Sequence, residues 1–211
     1  MNEKFFAKHR AKQKNILNAA YRVFAENSYK KAPMSGIAAA GGISKSLLCH
    51  DFGSKRELYL FLWEHAIDCT RRASRAQKVL ETDDFFEMLE RSLRAKCGLM
   101  RRFPYLSLFS LRAYYEQDPE VRDAVRRSFA QENLRSERLA LERLDTSRLR
   151  PDIDPHWMYT EIVCASDGFL MQCCRDGRLD PDEIEQGMER LLALWKTLYG
   201  RQGGLGWNTN E

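Results

Sequence analysis

Apolar residues in this chain recur every three or four positions from near its start to residue 199, and no stretch alternates apolar with polar residues in the Val/Ile/Thr-rich manner of a strand. That spacing buries one stripe of a helix and leaves its other side wet, so the chain is expected to be all-α. At 211 residues it is long enough for one or two domains whose core needs no disulfides. Its 44% hydrophobic and 30% charged residues exclude a disordered or low-complexity chain. Apolar runs such as Leu58–Trp63 fall far short of the roughly 18 residues of a membrane span, and the start MNEKFFAKHR lacks the apolar region of a secretory signal. No membrane partner is expected, and the cytoplasm is the expected compartment. Six cysteines (Cys49, Cys69, Cys97, Cys164, Cys173, Cys174) contain no CxxC spacing, which points to reduced, mostly buried thiols with no metal or other cofactor.

The pattern resolves into about nine helices. Ile16, Ala19, Ala20, Val23 and Phe24 place one stripe on a helix over 8–26, ended by Asn27-Ser28 and the Lys30–Pro33 stretch. Two very short helices follow, 34–40 and 45–50, broken by Gly41-Gly42, with Ser44 placed to accept a free N–H in the first turn of the second. Gly53 breaks the chain again. Ser54 with Glu57 three residues on is a capping box, and it starts a long helix through Leu58, Leu62, Ala66, Cys69 and Ala73 to about Val79. Helices are expected over about 83–99, 104–115 and 118–144. The last carries Val121, Val125, Phe129, Leu134, Leu141 and Leu144 and therefore needs neighbours. After a polar stretch with Pro151 and Pro155 comes an antiparallel pair, 156–175 and 181–199. Residues 200–211, with four glycines, are expected to be a flexible tail.

Charge divides the chain. Residues 1–75 hold 14 Lys and Arg against 6 Asp and Glu, whereas residues 76–211 hold 20 against 24, so a polyanion partner is favoured for the N-terminal part alone. There the three helices and the glycine turn make a helix-turn-helix, with Ile37, Ala38, Ile43 and Leu48 as its small core. Lys45, Ser46 and Leu47 lie on the outward face of its second helix. Lys45 suits guanine acceptors or phosphate, and Leu47 offers an apolar surface to a thymine methyl. Ser44, Ser54 and Lys55 stand at helix starts, where unpaired N–H groups meet phosphates, and Lys12 and Lys14 extend the basic face.

The segment 34–58, MSGIAAAGGISKSLLCHDFGSKREL, closely resembles the DNA-binding domain of the TetR family of bacterial transcriptional regulators, over about residues 10–60. Ile37-Ala38, Gly42-Ile43-Ser44, Lys45, Leu48, His50, Phe52, Ser54-Lys55 and Leu58 fall in register with the family pattern. The resemblance implies a helix-turn-helix domain over 8–53 and an all-helical effector-binding and dimerisation domain over 54–199. It also implies contacts to a double-stranded operator with an inverted repeat through Ser35, Ser44, Lys45, Ser46, Leu47, Cys49, His50, Ser54 and Lys55. Where the family usually has Tyr-x-Tyr-Phe or Tyr-His-Tyr-Phe, this chain has Cys49-His50-Asp51-Phe52. Two phenols are missing, and Asp51 is expected to bring a negative charge close to phosphates.

Residues 58–175 are rich in aromatic and sulfur side chains, a composition that leaves apolar cavities between helices. The resemblance implies a small-molecule effector there, and Trp63, Met88, Phe103, Phe109 and Tyr114 are its expected apolar contacts, with His65 and Asp167 orienting it. On the last two helices Ile162, Phe169, Ile184, Met188, Leu191, Leu192, Trp195 and Leu198 present more apolar surface than one small domain is expected to bury, which points to a homodimer through a four-helix bundle. No HExxH, paired Cys/His ligands or P-loop is present, so an enzyme has little support. The reading that follows is a ligand-responsive DNA-binding regulator, most simply a repressor. The alternative is a helical protein-interaction module that has lost DNA binding, suggested by Asp51 and the missing tyrosines.

Overall fold

A computed structural model describes residues 3–201. Ten α-helices and one 3-10 turn are found among the described residues: α1 Glu3–Phe6, α2 Arg10–Glu26, α3 Met34–Ala40, α4 Lys45–Phe52, α5 Lys55–Ala76, α6 Phe85–Arg102, α7 Leu106–Tyr115, α8 Arg122–Leu141, the 3-10 turn Thr146–Arg148, α9 Pro155–Arg175 and α10 Pro181–Tyr199. None of these helices is long and apolar enough to cross a membrane. The fold class is the expected one.

Local chemistry sets the helix starts. Ser44 accepts the N–H of Leu47, and Ser54 and Glu57 form a complete capping box at the head of α5. Asp84, Asp154 and Asp180 each accept two first-turn N–H groups at the heads of α6, α9 and α10, and proline stands at the first position of the last two. Two predicted helices are shorter than expected. The long α5 stops at Ala76 because Lys78 adopts a left-handed backbone with φ 53°, and α8 ends at Leu141 instead of near 144. The first two residues of the predicted tail are held in place: Gly200 bridges to Leu149, and the Arg201 N–H donates to the Arg148 carbonyl at 2.7 Å. The remainder of that predicted tail lies outside the described residues.

Two large apolar cores, and a small third one of Met100, Cys173 and Ile184, hold the helices. The larger joins Phe5 of α1, Ile16, Tyr21 and Phe24 of α2, Ile37 and Leu48 of the helix-turn-helix, Leu58, Tyr59 and Leu62 of α5, and Phe103, Phe109, Val121 and Val125 of the helical body. The smaller packs Phe85, Phe86 and Met88 of α6 against Met158, Ile162, Leu192 and Trp195 of α9 and α10. No apolar boundary separates the N-terminal unit from α7: Phe109 lies 5.3 Å from Tyr21 and 5.1 Å from Tyr59, ring centre to ring centre. The helix over Glu3–Phe6 was not anticipated. Phe5 is fully buried, and its ring lies tilted against that of Phe52 at 4.9 Å, which packs α1 on the core side of α4.

Because Phe109 belongs to a core common to both halves, Phe109→Ala is expected to cost about 3–5 kcal/mol. Helix content by circular dichroism and tryptophan emission should then shift together to a lower midpoint; two separated transitions would show that the halves fold independently.

Candidate nucleic-acid interface

The geometry of α3 and α4 follows from two adjacent glycines with different reasons. Gly41 is buried, and a β-carbon there would stand 3.3 Å from the Ile16 Cα, so this glycine lets α2 approach closely. Gly42 has φ +67° and turns the chain, after which the Ile43 N–H donates to the Ala38 carbonyl at 3.0 Å. Ile37, Ala38 and Leu48 fill the crossing beneath. The angle between the two helices is thereby set by backbone and core and does not depend on the outward side chains.

Of the residues expected at DNA, Ser35, Ser44, Lys45, Ser46 and His50 are exposed, and Leu47 and Cys49 are half-buried at the edges of the same face. The segment therefore presents a polar, singly basic surface, flanked by exposed Lys12, Lys14, Lys30 and Lys31. Ser44 and Ser54 spend their side-chain oxygens on helix N–H groups, so their further contribution to a phosphate is limited to the hydroxyl hydrogen and neighbouring backbone. Lys55 is turned inward: its ammonium donates to the Lys30 carbonyl at 3.0 Å and sits 5.0 Å above the Tyr29 ring. Burial there lowers its pKa, against the nearby Glu120 and Asp118.

Asp51 is the main correction. Its side chain does not face a duplex; it is 4% exposed and accepts from the Lys8 ammonium at 2.9 Å, with the His50 ring 3.8 Å from the same oxygen. It anchors the connection between α1 and α2 onto α4. The sequence signal for this partner was available in the basic start of the chain, but nothing in helical periodicity shows which side of α4 that segment covers.

The residues expected to contact an effector do not converge on one cavity. Met88 belongs to the smaller core beside α9 and α10, and Asp167 is half-buried on α9, where burial raises its pKa against the charge of Lys96. Phe103, Phe109 and His65 lie at the seam between α2, α5 and α7. The Tyr21 hydroxyl donates to the Leu62 carbonyl at 3.1 Å and meets His65 Nδ1 at 2.7 Å. Burial, with Arg72 adding to it, pushes the His65 pKa down to about 4. Trp63 and Tyr114 both pack on Phe129, at 6.4 and 4.3 Å. The Trp63 indole N–H is buried there and meets no acceptor.

The dimer-face expectation also needs correction. Ile162, Ile184, Leu192 and Trp195 are buried inside the chain itself, because α10 lies against α6 as well as α9. Phe169, Met188 and Leu191 are half-buried, and Leu198 is exposed. The outward apolar residues of α10 are Leu194 and Leu198, 51% and 44% exposed, with Leu191 in part covered by the smaller core. Leu191 and Leu198 are among the residues expected on that face, whereas Leu194 is not.

Residues 16–61 match the family model described as bacterial regulatory proteins, tetR family. Over these residues the chain carries the DNA-binding domain of that family. The HTH-type transcriptional repressor AcnR of Corynebacterium efficiens is 26% identical over 192 residues, covering 90% of this chain and 93% of the relative. Among solved structures, the TetR-family regulator PfmR of Thermus thermophilus is 26% identical, covers 84% of this chain and 96% of its own, and superposes with a TM-score of 0.57. The MbdR regulator of Azoarcus sp. CIB reaches a TM-score of 0.68 at 17% identity, covering 86% and 96% of the two chains, and so shares the fold. With that domain, and with a named transcriptional repressor similar to it along most of its length, the chain is a DNA-binding regulator of transcription.

The helix-turn-helix of this chain separates two kinds of failure. Lys45→Ala is expected to weaken binding to a bound duplex without lowering the melting temperature, whereas Leu48→Ala should cost about 2–5 kcal/mol of stability and lose binding by unfolding. Asp51→Asn is expected to lower stability by about 1–3 kcal/mol through its bond to Lys8, with no general tightening on DNA. A titration and a melting curve for each variant decide this. For His65 the folded pKa lies below its ordinary value, so its stabilising contribution is present above about pH 6.5 and is lost as pH falls towards 4. Denaturant midpoints between pH 7 and 4.5 should fall, and His65→Gln should flatten that fall.

Proposed function

We propose that this regulator is a ligand-responsive repressor that holds a palindromic operator as a homodimer and releases it when a small, largely apolar effector binds among its helices. The observation that carries the proposal is α5. This helix is capped on the helix-turn-helix by Ser54 and runs unbroken to Ala76, touching α4 at one end and α6, α7 and α8 along its length. Any displacement that a ligand imposes on the body is carried by one rod to the DNA-reading unit, and the ligand has only to favour the spacing that fits the operator less well. The name repressor given to AcnR supports the direction of the response.

On this reading residues 8–53 read DNA through Ser35, Ser44, Lys45, Ser46, Leu47, Cys49 and His50, with Ser54 and Lys55 supporting them, and residues 54–199 bind the effector and the second copy. The effector site is best supported where Trp63, Tyr114 and Phe129 meet, since a buried indole N–H without an acceptor costs about 1–3 kcal/mol that a ligand oxygen would offset. The dimer is best supported by α9 and α10, where Leu194 and Leu198 are exposed on one helix and Trp157 and Cys164 on the other.

Mobility shifts on the DNA upstream of the chain's own gene test the reading. Binding should follow a palindrome, and the logarithm of the affinity should fall linearly with the logarithm of salt concentration. A flat salt dependence would remove the phosphate contacts. Leu194→Glu with Leu198→Glu should give a folded monomer in sedimentation, whereas Trp195→Glu should unfold the chain; the opposite pattern would move the interface off these leucines. Phe129→Ala should raise the effector concentration needed for release, and an unchanged release curve would take the effector elsewhere.

A further inference from the structure

An open cleft lies apart from the Trp63 cluster and is lined by other residues. Where α2 ends, this cleft of about 340 Å³ separates the connection to the helix-turn-helix from the ends of α7 and α9. Volumes of this order accommodate small metabolites. Asn27 and Ser28 form one wall, Tyr59 the base, and Arg112, Tyr115 and Met171 the other side.

The polar groups of this cleft are unequally committed. Glu116, one turn beyond Arg112, accepts the Tyr29 N–H at 2.7 Å, the Gln117 N–H at 2.9 Å and the Asp118 N–H at 3.1 Å, so its charge is turned into the backbone. Arg112 has no acid partner within hydrogen-bond distance among the described residues, and the Ser28 side chain makes no hydrogen bond there. An unpaired guanidinium beside aromatic and thioether surface selects a carboxylate attached to an apolar body.

We propose that this cleft binds a small carboxylic acid, its carboxylate on Arg112 and Ser28 and its apolar part against Tyr59, Tyr115 and Met171. The consequence follows from the neighbouring contacts. Beside the cleft the connection between α7 and α8 clasps the N-terminal unit: the Tyr29 hydroxyl donates to Glu120 at 2.6 Å, and Arg56 Nε donates to the Glu120 carbonyl at 2.8 Å. A ligand bridging Ser28 and Arg112 spans the same seam and stiffens it, so the acid regulates how freely the helix-turn-helix moves on the body. This step rests on the regulator reading only for its effect on DNA; occupation of the cleft does not.

Calorimetry of the full chain with phenylacetate, benzoate and hexanoate, and with phenylacetamide as a neutral counterpart, tests the proposal. At least one acid should bind saturably, and the amide should bind about tenfold or more weakly than phenylacetate, the worth of one charge-assisted hydrogen bond. Arg112→Gln should remove that difference at an unchanged melting temperature, Arg112→Lys should restore part of it, and Trp63→Phe should leave it intact. No saturable acid binding up to about 10 mM, equal binding of acid and amide, or an Arg112→Gln variant that binds as the parent does would each overturn the proposal. The same samples in a mobility shift report the regulator reading separately, since the heat of binding is read with no DNA present.

Discussion

The packing of Phe109 between Tyr21 and Tyr59 is the contact on which the arrangement of this molecule depends. Tyr21 and Phe24 belong to the first helix of the DNA-reading unit, Tyr59 to the long α5, and Phe109 to the body, and their rings meet within 4.9 to 6.3 Å. Rings of this size dominate the apolar area they bury and prefer the tilted and edge-on contacts seen here. The helix-turn-helix, which has only a few small aliphatic residues of its own, is thus stabilised largely by leaning on the body. Tyr21 adds a polar lock to the same seam through Leu62 and His65.

Around that seam the charged groups are used structurally before they are available to any partner. Asp51 holds Lys8, Glu116 and Glu120 hold Tyr29 and the Arg56 neighbourhood, and Lys55 caps the carbonyl of Lys30. A surface that looks basic by composition is accordingly less free than its count of lysines implies. Lys45, with Lys12 and Lys14 beside it, carries the outward charge of the reading face.

Local features of the sequence carried most of the fold. The 3.6-residue spacing placed the major helices, and the Ser44 and Ser54 caps and the Gly41-Gly42 break placed the ends of α3, α4 and α5, because each of these is decided within one or two turns. The short N-terminal helix escaped notice because four residues carry no period, although Phe5 proves to be fully buried. What periodicity leaves open is the partner of an apolar stripe. Trp195 and Leu192 read as an unpaired ridge until α6 is seen to cover them, and Asp51 reads as exposed until Lys8 arrives from forty-three positions away. Convergence of side chains from α5 and α7 on Phe129 of α8 is likewise a matter of tertiary placement and leaves no mark on spacing.

The capped head of α5 bears on how finely DNA fit is tuned. Gly53, at φ +77°, turns the chain into the helix start, and the Ser54–Glu57 cap closes at once behind it, so only two residues join α4 to α5. A rod of 22 residues is about 33 Å long. Pivoted at its far end by about 5°, it carries its head through about 3 Å, close to the 3.4 Å rise of one base pair. A long linker would dissipate such a motion, whereas a joint of two residues passes it directly to α4.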